Sequence, residues 1–162
     1  MGSTIPNLDE VMKAALKDID ALEKRMTYNI QQVLLDTDRH LKALTPVNTG
    51  QAVRNYIWTV GVPNQIVYEA IDNGPPGPTN SMALGVEPRR GVNESAAFES
   101  LLALDVANPF QHFICSNNSP DIEGLELGTL PGPPLSSRSP SGMFGQVAAY
   151  ISVMLASKGI MS

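Results

Sequence analysis

The sequence predicts an α+β fold in one domain: a long N-terminal helix, a small mostly antiparallel sheet covered by two shorter helices, and two long Pro/Gly loops. Three observations carry this. Apolar residues recur at helical spacing from Leu8 to Leu44 with no proline among them, short runs rich in β-branched and aromatic residues follow, and residues 73–91 and 130–141 hold eight of the thirteen prolines. At 162 residues and 17.4 kDa the chain has room for one core and not comfortably for two, so 1–162 reads as a single domain with a flexible start over 1–7.

Asn7, followed three residues later by Glu10, has the spacing of a capping box and marks the start of the first helix. Its apolar stripe runs through Leu8, Met12, Ala15, Ile19, Leu22, Met26, Ile30, Val33, Leu41 and Leu44. An unbroken helix over that span would be about 55 Å long at ~1.5 Å per residue, longer than a domain of this size is wide. Part of it must project, bend or pack against something outside its own domain.

The helix runs into the corner Thr45, Pro46, Val47, Asn48, Thr49, Gly50. Pro46 biases Thr45 away from helical angles, while Asn48 and Thr49 supply turn chemistry and Gly50 is free to adopt positive φ. "VRNYIWTVGV" then alternates as a half-buried strand, and "NQIVYEAI", residues 64–71, is expected to pair with it across a turn. Residues 73–91, with four prolines and four glycines, form the first long loop. A helix resumes in "NESAAFESLLAL" with Asn93 or Ser95 as its cap and Phe98, Leu101 and Leu102 inward. "FQHFICSNN" reads as a short strand, "SPDIEGLELGT" as a capped helical turn, and Met143, Val147, Ile151 and Met154 or Leu155 as the inner face of a last helix.

The chemistry is sparse. The net charge of -5 lacks the basic footprint of a protein that grips phosphate backbones. No Lys or Arg lies between Arg90 and Arg138, where Glu94, Glu99, Asp105, Asp121, Glu123 and Glu126 all fall. Sharing one face, these carboxylates would repel nucleic acid; scattered, they are ordinary solvated residues. A single cysteine, Cys115, allows neither an intrachain disulfide nor a CxxC site, which suits a reducing cytoplasm, and "MGSTIPNLDE" reads as neither a leader nor an anchor.

His40 and His112 stand far apart with no zinc-type spacing. His112 and Cys115 lie three apart on a strand and so point to opposite faces, making Cys115 a buried thiol rather than a nucleophile. No phosphate-cradling glycine motif occurs. Glu123 and Glu126 read as a solvated pair on one helical turn, and the methionines at helical spacing read as core or interface filler. No catalytic, cofactor-binding or metal site is expected, and the chain is not expected to be an enzyme.

Four short signals stand in a telling order: "LTPVNTG" closing a long first helix, an alternating strand with Trp58, "FICSNNSPDIEGLELGT" after a middle helix, and "SPSGM" opening the last. This series resembles the tail-completion and head-tail joining (neck) family of long-tailed bacteriophages. Thr45, Pro46, Val47, Thr49 and Gly50 match the family's corner. Asn117, Asn118, Pro120, Glu126, Gly128 and Thr129 match its second motif, and Pro140, Gly142 and Met143 its third. Asn48 replaces the usual Asp, Asp121 stands where the family favours Tyr, and residues 73–91 are longer than the usual hairpin region.

The resemblance implies a structural virion protein, assembled in the host cytoplasm. It would form a ring of six or twelve copies that joins or completes the tail and surrounds the DNA channel. The implied partners are further copies of itself, portal or adaptor proteins, and tail tube or tail terminator proteins; DNA would pass without specific binding, and no membrane is involved. The expected subunit interface takes in Leu8, Met12, Ala15, Ile19, Leu22 and Met26 together with Pro75, Pro76 and Pro78. An alternative is an intracellular adaptor using the long helix as a coiled-coil handle. Because proline-rich loops lose little freedom on docking, deleting Pro75 to Pro78 should leave thermal unfolding unchanged and lower the yield of infectious particles. A normal yield would argue against loop contacts.

Overall fold

The computed structural model describes residues 7–46, 50–71, 90–129 and 142–157. Val47, Asn48, Thr49, Pro75, Pro76, Pro78, Pro140 and the start before Asn7 lie outside them, as do the expected loop contacts.

Helix α1 spans Leu8–Leu44, the span that the apolar stripe predicts. Asn7 caps it, its side-chain oxygen accepting from the Asp9 N–H at 3.3 Å. At the other end Thr45 takes extended angles, φ -75° and ψ 122°, as a residue before proline should. Residues 8–25, about 27 Å of helix at ~1.5 Å per residue, are exposed throughout, and burial begins only at Met26. The helix therefore projects from the body.

Gly50 is buried at φ 92° and opens a single helical turn, α2, over Gln51–Arg54. The predicted strand is thus shorter than its alternation suggested: β1 is Ile57–Val60. Nor is it half-buried at its start, because Tyr56, Ile57 and Trp58 are all enclosed.

The second departure concerns pairing. Residues 64–71 form no strand. The partner of β1 is β2, Phe113–Ser116, antiparallel, with Ile57 opposite Ser116 and Val60 opposite Phe113. Side-chain amides hold the 64–71 segment instead. Asn55 accepts from the Tyr68 N–H and donates to the Tyr68 carbonyl, both at 2.7 Å. Asn93 does the same to Ile71, at 2.9 and 3.1 Å. These buried amides imitate a neighbouring strand's backbone, so no ladder is needed there.

Helix α3, Arg90–Leu102, has begun before Asn93, which is therefore no cap. Leu101 is buried and Phe98 half-buried, but Leu102 points outward at 69% exposure. The turn α4, Ile122–Glu126, and the last helix α5, Phe144–Ser157, stand where expected. Met143, Val147 and Met154 form the inner face of α5, with Ile151 packed beside them.

Among the described residues three small apolar clusters make the core. Leu34, Trp58 and Leu101 join α1, β1 and α3. Leu41, Tyr56 and Val147 join α1, the start of β1 and α5. Ala52, Leu125 and Met143 join α2, α4 and the start of α5. Cys115 touches the first two clusters.

A β-branched side chain at φ 92° would be strained by about 1–2 kcal/mol from backbone sterics alone. Gly50→Val should therefore lower the thermal midpoint by several degrees in a melt followed by circular dichroism. Equal midpoints would contradict this account of the corner.

Candidate assembly surface and the hub that aims it

Two groups of residues carry the candidate site: the exposed half of α1, and the buried junction from which it projects. The junction centres on Thr45. Its backbone N–H returns to the Leu41 carbonyl at 3.1 Å. Its hydroxyl donates to the same carbonyl at 2.6 Å, and with that one hydrogen committed it accepts from the Tyr56 hydroxyl at 2.8 Å. The Met143 sulfur lies 3.2 Å from Thr45 Oγ1 and 3.5 Å from Tyr56 Oη. All three side chains are fully enclosed. Burial, opposed by the Thr45 hydrogen bond, pushes the Tyr56 phenol well above its ordinary value, so it stays a neutral donor.

Glu126 supplies the next link. Its carboxylate accepts from the backbone N–H groups of Met143 at 2.6 Å, Phe144 at 3.0 Å and Gly145 at 3.3 Å. Those are donors that a helix start leaves without intrahelical partners, and the negative charge suits the positive end of α5. Glu126 is therefore the cap of α5, and the expectation of a solvated pair with Glu123 fails; Glu123 alone is exposed. Gly142 makes the approach possible. It has φ 81°, and a Cβ there would stand 2.6 Å from both the carbonyl and a carboxylate oxygen of Glu126.

A second buried group sits one turn earlier on α1. Asp38 accepts from Trp58 Nε1 at 3.0 Å and from Lys42 Nζ at 2.7 Å. Both side chains of the ion pair are almost wholly enclosed, at 2% and 7% exposure. Lys42 Nζ also lies 5.4 Å over the Phe98 ring. Arg90 then closes the end of α1, donating to the Lys42 carbonyl at 2.6 Å and the Thr45 carbonyl at 2.8 Å while pairing with Glu94 at 2.6 Å. A cation on the last carbonyls of a helix is favourably placed. On the outer side, His40 stacks on Tyr150 of α5 with ring centroids 3.9 Å apart.

The three motifs behind the family resemblance meet here. Thr45 of the first, Glu126 of the second, and Gly142 and Met143 of the third lie in direct contact or one residue removed. Asn117 ties the second motif to α2, donating to the Ala52 carbonyl at 2.7 Å. Gly128, at φ 69°, ends α4, and Thr129 binds back to the Gly124 carbonyl at 2.8 Å through its N–H. Asn118 reaches the Asn64 carbonyl at 2.6 Å, while Pro120 is exposed.

The sequence gives no sign of the roles of Asp38, Lys42, Tyr56, Asn55 and Arg90, and it suggests for Asn93 a cap rather than the anchor of Ile71 that it is. Asp38 and Lys42 stand at ion-pair spacing on a helix, a visible signal, but nothing local told that they are buried.

Along the projecting part of α1, Leu8, Met12, Ala15, Ile19 and Leu22 are exposed and Met26 is half-buried; Leu8 stands at 70% and Leu22 at 56%. The acidic stretch does not act as one unit. Glu94 and Glu126 are engaged internally, whereas Glu99, Asp105, Asp121 and Glu123 face outward. Cys115 is wedged between two clusters, where burial, reinforced by the Asp38 charge, pushes its thiol up, away from the nucleophilic form. Among the described residues no group of three His, Cys, Asp or Glu side chains is placed to hold a metal, and no helix is long and apolar enough to cross a membrane.

Compared with known proteins, the chain matches no family model, no curated sequence and no solved structure.

Losing the Glu126 carboxylate leaves three helix-start donors without their acceptor. Glu126→Ala should cost about 2–3 kcal/mol, with Glu126→Gln costing less because one acceptor oxygen remains. Asp38→Ala, which strands a buried ammonium, should cost about 3–5 kcal/mol. Urea unfolding measures both, and an Asp38 variant as stable as the parent would refute the second group's role.

Proposed function

We propose that this chain is a non-enzymatic structural subunit of a tailed-phage neck, forming a ring at the head-tail interface that joins or completes the tail around the DNA channel. The observation that carries the reading is the pairing of an internally locked junction with an exposed apolar helix stripe. Thr45, Tyr56, Glu126 and Met143 bond to one another within the chain, while Leu8 to Leu22 are exposed. A protein whose polar groups are spent on fixing one angle, and whose apolar groups project from that angle, is suited to placing a neighbour.

The family resemblance supports the same reading, because its three motifs, far apart in the chain, converge on the residues that set the angle. A head-to-tail contact repeated by rotation closes only if the rotation divides a full turn. The stripe on one copy, seated on the next, would produce a ring, with six copies where the tail governs the symmetry and twelve where the portal does. Glu99, Asp105, Asp121 and Glu123, each exposed, would disfavour adhesion of DNA wherever they face the channel.

The direct test replaces Ile19 and Leu22, both exposed, with Glu. Far-UV circular dichroism of the isolated chain should show the parent's helix content, because neither side chain packs in the chain's own core. Phages carrying the variant should yield heads and tails that fail to join or tails that fail to complete, seen by negative-stain microscopy. Normal virions from the Ile19→Glu/Leu22→Glu phage would contradict the proposal.

A further inference from the structure

The exposed stripe of α1 has a finer regularity than helical spacing alone. Leu8, Met12, Ala15, Ile19, Leu22 and Met26 follow one another in alternating steps of four and three. A mean step of 3.5 residues is the period that keeps a seam facing a second helix as the two wind around each other. The occupant it fits is therefore a helix, and the charges beside the seam say which one.

Asp18 and Arg25 flank the seam on one side, and Glu23 flanks it on the other with Leu16. Two parallel copies would set Asp18 of each against Glu23 of the other, a like-charge contact made twice. In an antiparallel pair, each flanking side meets the same side of its partner. Centring that pair between Asp20 and Ala21 places Asp18 within a turn of Arg25 on the other copy, again twice, and Glu23 beside Leu16. It stacks Ile19 on Leu22, and Met26 on Ala15, a large residue against a small one. Moving the centre of the pair by half a heptad in one direction would oppose Asp18 to itself, and in the other Arg25 to itself. Charge thus selects one register.

We propose that in the free chain the projecting half of α1 is covered by α1 of a second copy, as an antiparallel two-fold pair centred between Asp20 and Ala21. This pair hides the stripe until another partner takes it. It rests on α1 alone and holds wherever the assembled chain resides, so its failure would leave the neck reading standing, and failure of the neck reading would leave it intact.

Sedimentation equilibrium on the full chain tests it. The parent should be a monomer–dimer system. Asp18→Arg should weaken association about tenfold or more by turning two attractive contacts repulsive, and Arg25→Asp should do the same. The double variant D18R/R25D should return to within about threefold of the parent. Both substitutions are on the exposed helix, so circular dichroism should show unchanged folding in all three variants. A monomeric parent, a closed ring in place of a dimer, or an Asp18→Arg variant that associates more tightly, as a parallel pair would, overturns the proposal.

Discussion

Thr45 is one residue with three jobs, and the rest of the molecule is arranged around them. Its N–H and hydroxyl close the last turn of α1, its hydroxyl receives Tyr56 and touches the Met143 sulfur, and its carbonyl receives Arg90. Through Tyr56 it is tied to β1, through Met143 to α5, and through Arg90 to α3. Glu126 adds α4 by capping α5. Since Thr45 and Tyr56 are fully enclosed, each bond left unmade there would cost about 1–3 kcal/mol. The cheapest arrangement is the one in which all are made, and that arrangement has one direction for α1.

The body is otherwise thin. Among the described residues its sheet has two strands of four residues, and its core is three separate clusters rather than one. Apolar burial of that extent packs elements together but constrains their angles weakly, because it is non-directional. Orientation comes from the hydrogen bonds and from the Asp38–Lys42 pair with Trp58. Such pairs contribute little net stability, yet they penalise alternatives heavily. In a protein whose proposed task is to hold a helix at an angle, that is the more useful property.

What was legible in the sequence was local. α1 could be read because cap, stripe and stop all lie within its own span, and the positive φ of Gly50 because turn chemistry surrounds it. Residues 64–71 were misread because their alternation is genuine but their partner is not another strand; two asparagine side chains from α2's end and α3 fill that place. Glu126 was misread because its partners are seventeen or more residues further on, beyond any spacing rule. The motif residues themselves were visible, but only the fold brings Thr45, Glu126 and Met143 together and turns three turn-rich fragments into one junction.

The central claim is that this hub gives α1 a single direction. A pulsed EPR distance measurement between spin labels at Lys17 on the exposed helix and Ser152 on the outer face of α5 tests it most directly, with unlabelled chain in excess to suppress distances between copies. Cys115, partly buried between two clusters, would be left in place and checked for labelling. The account predicts one narrow distance distribution for the parent and a broadened one when Thr45→Val strands the Tyr56 hydroxyl. A broad distribution in the parent, or the same narrow one in both, would contradict it.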